Sequence, residues 1–190
     1  SNSLDERLIQ NLFLQGAQID MFGVGERMIT AKSEPVFGGV YKLTAVENDK
    51  GEIIPKIKCS ENVEKITIPH FKKVYRLYNR DNDKAIADYM TVHDEVVDEN
   101  EPLMLFDPYA TWKTKNVCNF EARELLVPVF LNGKKVYQSP TLKDIQAYCK
   151  QQVNTLWDEI KRFDNPQTYY VDLSQKLWDI QQELLRKNRN

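Results

Sequence analysis

The stretch "GAQIDMFGVGERMITAK", Gly16 to Lys32, decides how the first part of this chain is read. Four mostly apolar residues, Ile19 to Phe22, run straight into Gly23-Val24-Gly25. Upstream, Ser3-Leu4-Asp5-Glu6 has the form of a capping box, a serine followed three residues later by an acid. Leu8, Ile9, Leu12 and Phe13 follow at helical spacing, and Gly16 is a natural stop. The pattern predicts a helix over residues 4–15 and a short buried strand over 19–22. Helix, glycine and apolar strand make half of an alternating α/β unit. One such unit cannot form a domain, because a parallel strand needs neighbours and helices on both faces. A closed α/β barrel takes about 250 residues. The sequence therefore reads as starting inside a larger α/β domain.

From Gly38 onward the pattern changes. "GGVYKLTAVE" and "IIPKIKCS" read as strands around the turn Asn48-Asp49-Lys50-Gly51. "FKKVYRLYN" and "KAIADYMTVH" flank Asp81-Asn82-Asp83, and "PLMLF" follows. "ARELLVPVF" turns through Leu131-Asn132-Gly133 into "KKVYQ", and Asn-Gly between apolar runs is a strong hairpin signal. Short strands joined by tight turns predict an antiparallel sheet. Two helices close the chain. Thr141 caps the first, whose inward face is read as Leu142, Ile145, Cys149, Val153, Leu156, Ile160 and Phe163. The second is read as capped by Asp172, with Leu173, Leu177, Ile180, Leu184 and Leu185 inward. Met104, Trp112, Trp157 and Trp178 read as core.

The balance of charge narrows the classes of function. Among 190 residues the net charge is -2, which gives no general attraction to nucleic acid or to acidic membranes. No apolar run approaches the roughly 20 residues of a membrane span, and no signal peptide is visible. A cytoplasmic protein is the simplest reading. Cys59, Cys118 and Cys149 form no C-x-x-C pair, and the odd count suits a reducing compartment. A mixed metal site from Cys59, His70, His93 and Cys118 would match no standard ligand spacing.

The glycine doublet admits several readings. The Walker motif requires Gly-Lys-Ser/Thr, and Glu26-Arg27 does not supply it. The dinucleotide fingerprint requires a third glycine and a full helix, which Pro35 and Gly38-Gly39 interrupt. A phosphate cup, with backbone N–H groups facing an anion, and a plain turn both remain open. Lys42, Lys56 and Lys58 lie on predicted strands, the last two at period two and so on one face. They read either as solvent-facing lysines or as cations for a polyphosphate substrate. The run His93 to Glu99 reads as a solvated acidic loop, with a metal site as the alternative. No serine, cysteine or histidine stands in a nucleophile context, so no catalytic residue is assigned.

The segments "SNSLDERLIQNLFLQGAQIDMFGVGERMIT", "EPVFGGVYKL", "PKIKCSENVEKITIP", "FKKVYRLY", "ELLVPVF" and "VDLSQKLWD" together resemble the C-terminal part of bacterial nicotinate phosphoribosyltransferase. The resemblance runs in order along essentially the whole chain. It implies formation of nicotinate mononucleotide and pyrophosphate from nicotinate and phosphoribosyl pyrophosphate, coupled to ATP hydrolysis with Mg²⁺. It also implies an irregular α/β barrel joined to an antiparallel sheet, with active sites shared across a head-to-tail homodimer. By that resemblance Gly23, Val24 and Gly25 hold the ribose 5′-phosphate. Glu26 stands where threonine is common, and an ionised carboxylate cannot donate. It is expected to point away from the phosphate or to reach it through water or metal. Lys42, Lys56 and Lys58 are implied as further phosphate ligands.

The expected fold is thus α+β. Residues 1–37 form a barrel remnant of helix, strand and glycine loop. Residues 38–190 form an antiparallel sheet region with two C-terminal helices. The phosphorylated histidine and the nicotinate-binding residues of the family lie upstream, and neither His70 nor His93 takes that position. No metal or cofactor is expected on the chain alone, and no nucleic-acid or membrane partner. The alternative is an autonomous interaction module that performs no chemistry. Residues 1 to 35 are expected to dock on another copy or to rearrange.

Overall fold

The computed structural model describes residues 2–36 and 38–188. It divides into two compact units, Ser1–Tyr41 and Lys42–Asn190.

In the first unit the apolar stripe of residues 8–13 does form a helix, α1 (Glu6–Leu14). Its cap is Asp5 rather than Ser3: the Asp5 carboxylate accepts the Leu8 N–H at 2.8 Å. Gly16 ends it at φ +81, a left-handed conformation in which a side chain would be strained. The Gly16 and Ala17 N–H groups then close on the Phe13 and Leu12 carbonyls. No strand follows. Residues 17–25 make no ladder, Met21 is 88% exposed, and Ile19 is exposed too. The expected strand over 19–22 is therefore corrected to irregular chain. Its apolar residues have no sheet to join, and a strand without a neighbour leaves its backbone groups unpaired. Phe22 packs edge-on against Phe13, with ring centroids 5.6 Å apart. A single helical turn, α2 (Glu26–Ile29), starts directly after Gly25.

The second unit is α+β. A short hairpin comes first, β1 (Ala45–Glu47) against β2 (Ile53–Pro55). The Asn48 side-chain oxygen accepts the Lys50 and Glu52 N–H groups, and Gly51 takes φ +78 in the turn. The central sheet is built on β3 (Lys72–Asn79) and β4 (Ala85–Val92), antiparallel around Asp81-Asn82-Asp83. β5 (Leu103–Phe106) and β6 (Thr114–Val117) form a separate ribbon. β7 (Phe120–Glu124) joins the far side of β3. β8 (Phe130–Leu131) and β9 (Lys134–Lys135) form the hairpin expected at Asn132-Gly133. After α3 (Leu142–Thr155) comes β10 (Val171–Leu173), then α4 (Gln175–Lys187). The sheet order is β10-β4-β3-β7, with β10 parallel to β4, so the expected purely antiparallel sheet carries one parallel edge strand.

Two buried clusters hold the second unit together. Leu77, Ala87, Tyr89, Leu105, Val117 and Phe120 join the sheet to the ribbon. Val92, Leu173 and Leu177 join β4, β10 and α4, with Trp178 and Ile180 packed against them. A polar crosslink runs across the sheet. Arg76 and Asp88 are opposed on β3 and β4, and the guanidinium grips the carboxylate with two bonds, at 2.7 and 2.9 Å. The Tyr169 hydroxyl donates to the same carboxylate at 2.9 Å, and Arg76 lies 5.6 Å from the Tyr169 ring centroid. The Asp88 bond holds the Arg76 guanidinium above its ordinary range, and burial beside Asp88 pushes the Tyr169 hydroxyl up.

The structure corrects several expectations. α4 is capped by Ser174, whose hydroxyl accepts the Leu177 N–H, while Asp172 lies in β10. α3 keeps its Thr141 capping box but ends at Thr155, short of Phe163, and its expected inward residues Leu142, Ile145 and Val153 are exposed. Met104, Trp112 and Trp157 are exposed rather than core, at 55%, 78% and 41%, whereas Trp178 is half-buried. The acidic run is not simply solvated. Glu95 accepts from the Val92 N–H and the Ser174 hydroxyl, Glu99 accepts from the Ala122 N–H and from Arg80, and Asp94 pairs with Lys176.

Phe120 is wholly buried, so Phe120→Ala is expected to cost about 3–5 kcal/mol in a urea unfolding titration. Arg76→Ala is expected to cost about 3 kcal/mol, because it leaves the Asp88 carboxylate short of its counter-charge. Asp172 adds a pH dependence. Burial first, and Asp107 second, push its carboxyl from the ordinary 3.8 up to about 6. The folded chain then holds this proton more tightly than the unfolded chain does. The group's stabilising contribution is complete below the unfolded value and is lost as pH rises through the folded one. Denaturation midpoints of the native chain should fall from pH 4 to pH 7 more than those of Asp172→Asn.

Candidate functional site

The α1-to-α2 connection folds back to form a cleft of about 540 Å³ within the first unit. Gly23, Val24, Gly25 and Glu26 line it, together with Ser3, Arg27 and Lys32. Four sequence-predicted site residues are thus brought together. A Cβ built on Gly25 would meet no heavy atom within 4 Å. The space beside its Cα is open, which leaves room for a ligand to approach the backbone. Glu26 is engaged: its two carboxylate oxygens each lie 3.2 Å from the Lys32 ammonium. Arg27 leans on Asp5 at 3.8 Å, a loose pair with the guanidinium 40% exposed. The cleft therefore offers a glycine backbone and two cations, Lys32 held by Glu26 and Arg27 loosely paired with Asp5. Sequence reasoning missed Arg27 and Lys32, although both lie within the opening stretch.

The remaining predicted residues, Lys42, Lys56 and Lys58, belong to the second unit and are all exposed. The Lys42 ammonium donates to the Lys65 carbonyl at 2.9 Å. Lys42 precedes β1, and Lys56 and Lys58 follow β2, so none sits within a strand as expected. Burial alternates from Ile53 to Lys58, which keeps Lys56 and Lys58 on one exposed face.

His70 and His93 stack with ring centroids 5.8 Å apart, while Cys59 and Cys118 are exposed and free. Among the described residues no group of three or more His, Cys, Asp or Glu side chains could hold a metal ion. Among them too, no helix is long and apolar enough to cross a membrane.

Comparison with known proteins is decisive for the family. Residues 71–181 match the model of the nicotinate phosphoribosyltransferase C-terminal domain. This chain belongs to that family. A nicotinate phosphoribosyltransferase of Bacillus subtilis is 44% identical over 178 residues, covering 94% of this chain and 36% of that protein. One of Caenorhabditis elegans is 33% identical over 190 residues, covering 99% of this chain and 33% of that protein. The chain spans about a third of the length of these relatives. Both matches cover so much of the chain that they extend beyond the family domain into the first unit. The crystal structure of human nicotinic acid phosphoribosyltransferase aligns with a TM-score of 0.57 at 23% identity, over 63% of this chain and 24% of that one. At that identity the likeness speaks for the fold alone.

Two substitutions separate folding from ligand binding at the cleft. With a sugar phosphate as the ligand, Gly25→Ala, whose methyl meets no protein atom, is expected to bind ribose 5-phosphate about tenfold more weakly, or by about 1.4 kcal/mol, with thermal unfolding of the variant measured alongside. Glu26→Gln removes a negative charge and releases Lys32, so the same titration should show about threefold to tenfold tighter binding.

Proposed function

We propose that this chain is the C-terminal part of a nicotinate phosphoribosyltransferase and supplies the subsite for the ribose 5′-phosphate. The observation that carries the reading is the coincidence of two features. The chain matches enzymes of that name across both of its units, and the Gly23–Glu26 loop lines a cleft with Arg27 and Lys32. The whole enzyme would join nicotinate to phosphoribosyl pyrophosphate, giving nicotinate mononucleotide and pyrophosphate, as a step toward NAD. The ring nitrogen forms a bond to the anomeric carbon, and the pyrophosphate leaves with the electron pair of the bond that breaks. The chain's own part is positioning. Amides of the glycine loop and the Arg27 and Lys32 cations would fix the phosphate, and so the distance of the anomeric carbon from its attacker.

On this reading residues 1–37 complete an α/β barrel supplied mainly by the preceding polypeptide. Lys42, Lys56 and Lys58 would reach phosphates across a head-to-tail homodimer. Their exposure leaves them available for that role. Three exposed, free thiols suit a cytoplasmic location. The whole enzyme would use ATP and Mg²⁺. The cleft offers one carboxylate, Glu26, already held by Lys32, and this is no fit for a metal ion. The chain is therefore assigned no part in holding Mg²⁺.

The test compares the 190-residue chain with a polypeptide extended upstream to the length of the relatives. Nicotinate mononucleotide should form with the longer protein and not with the chain alone. Formation by the chain alone, or by neither, would contradict the proposal.

A further inference from the structure

Every residue of α3 from 142 to 151 is exposed, ten in succession. The side-chain bonds that tie the helix to the sheet all fall from Tyr148 onward. The Gln152 side-chain oxygen accepts from the Tyr78 hydroxyl at 3.0 Å and from Arg123 at 2.8 Å. Arg123 also donates to the Tyr148 hydroxyl, and Lys84 donates to the Asn154 carbonyl. Among residues 142–147 the side-chain bonds are those of the Thr141–Asp144 capping box.

An isolated helix shorter than about 12–15 residues is marginal in water, and helices in proteins draw most of their stability from a packed apolar face. α3 has 14 residues and carries such a face. Leu142, Ile145, Cys149 and Val153 recur at intervals of three and four, so they form one stripe. All four are exposed, Leu142 at 72%. Lys143 and Lys150, seven residues apart, border the stripe on one side; both are exposed and neither makes an ion pair among the described residues. Asp144, the acid of this helix, is committed to the capping box.

Two copies meeting about a twofold axis through this stripe would bring like-charged lysine borders together, which opposes association. The other source of a covering surface is the rest of the polypeptide. About two-thirds of the length of the Bacillus subtilis and Caenorhabditis elegans relatives lies outside the stretch they share with this chain, and the matching family model is a C-terminal domain. A surface on the same polypeptide also meets the stripe without the entropy loss of joining two molecules.

We propose that the stripe Leu142, Ile145, Cys149 and Val153 docks on the polypeptide that precedes this chain in the whole protein, at an apolar surface edged with carboxylates that face Lys143 and Lys150. The proposal rests on the reading of the chain as a C-terminal part. Its test needs no turnover, so it can fail while nicotinate mononucleotide still forms, and the reverse.

The test is amide hydrogen exchange on the 190-residue chain and on the polypeptide extended upstream to the length of the relatives. The amides of α3 should exchange about a hundredfold more slowly in the longer protein, and in the 190-residue chain their rates should not depend on its concentration. Ile145→Gln should leave the thermal unfolding of the 190-residue chain unchanged, yet speed α3 exchange about tenfold or more in the longer protein. Ala147→Gln, on the opposite side of the helix, should keep the slow exchange there. Equal rates in the two proteins, protection of the 190-residue chain that grows with its concentration, or the same effect from both substitutions would each overturn the proposal.

Discussion

The bidentate pair of Arg76 and Asp88 sits where the second unit could most easily go wrong. Side chains on a strand alternate, so a slip of one residue between β3 and β4 would turn every buried side chain outward. The pair makes that slip expensive. It exists only when residues 76 and 88 face each other, and in that register Leu77 pairs with Ala87 in the buried cluster. Tyr169 closes on the same carboxylate and so ties the segment leading into β10 to the sheet. β10 then lies parallel to β4, and Ser174 starts α4 with its hydroxyl on Glu95. One ion pair thus fixes the register from which the edge strand and the last helix follow.

The same logic explains what the amino-acid sequence disclosed and what it did not. α1 and the inward face of α4 were legible because their apolar stripes are local. So was the hairpin at Asn132-Gly133, where the turn chemistry names itself. β3 and β4 were legible because each is eight residues long and patterned. β6 and β10 were not, since "TKNV" and "VDL" become strands only through the neighbours they meet. The run Ile19–Phe22 is the converse, a strand in composition with no sheet beside it. α3 shows a third limit: the periodicity was real, but nothing among the described residues covers Leu142 and Ile145. Periodicity tells which face is apolar, not whether a surface is present to bury it.

At the candidate site, the glycine doublet announced a place where backbone can be approached, and the cleft around Gly25 has that openness. The charges around it were harder to read. Glu26 looked anomalous beside a phosphate cup, and its partner Lys32 lies six residues on, across a turn that no helical or strand period predicts. The engaged carboxylate resolves the difficulty, because an acid held by a lysine repels an anion far less than a free one. Asp172 read as a helix cap, and its burial emerges only where β10 lies beside β4.

The central claim is that the loop from Gly23 to Glu26 grips a sugar phosphate. The most direct measurement is a crystal structure of the polypeptide extended to the length of its relatives, bound to nicotinate mononucleotide. The account predicts phosphate oxygens within about 3 Å of the loop's amide nitrogens. A phosphate bound elsewhere, with these amides facing only solvent, would contradict it.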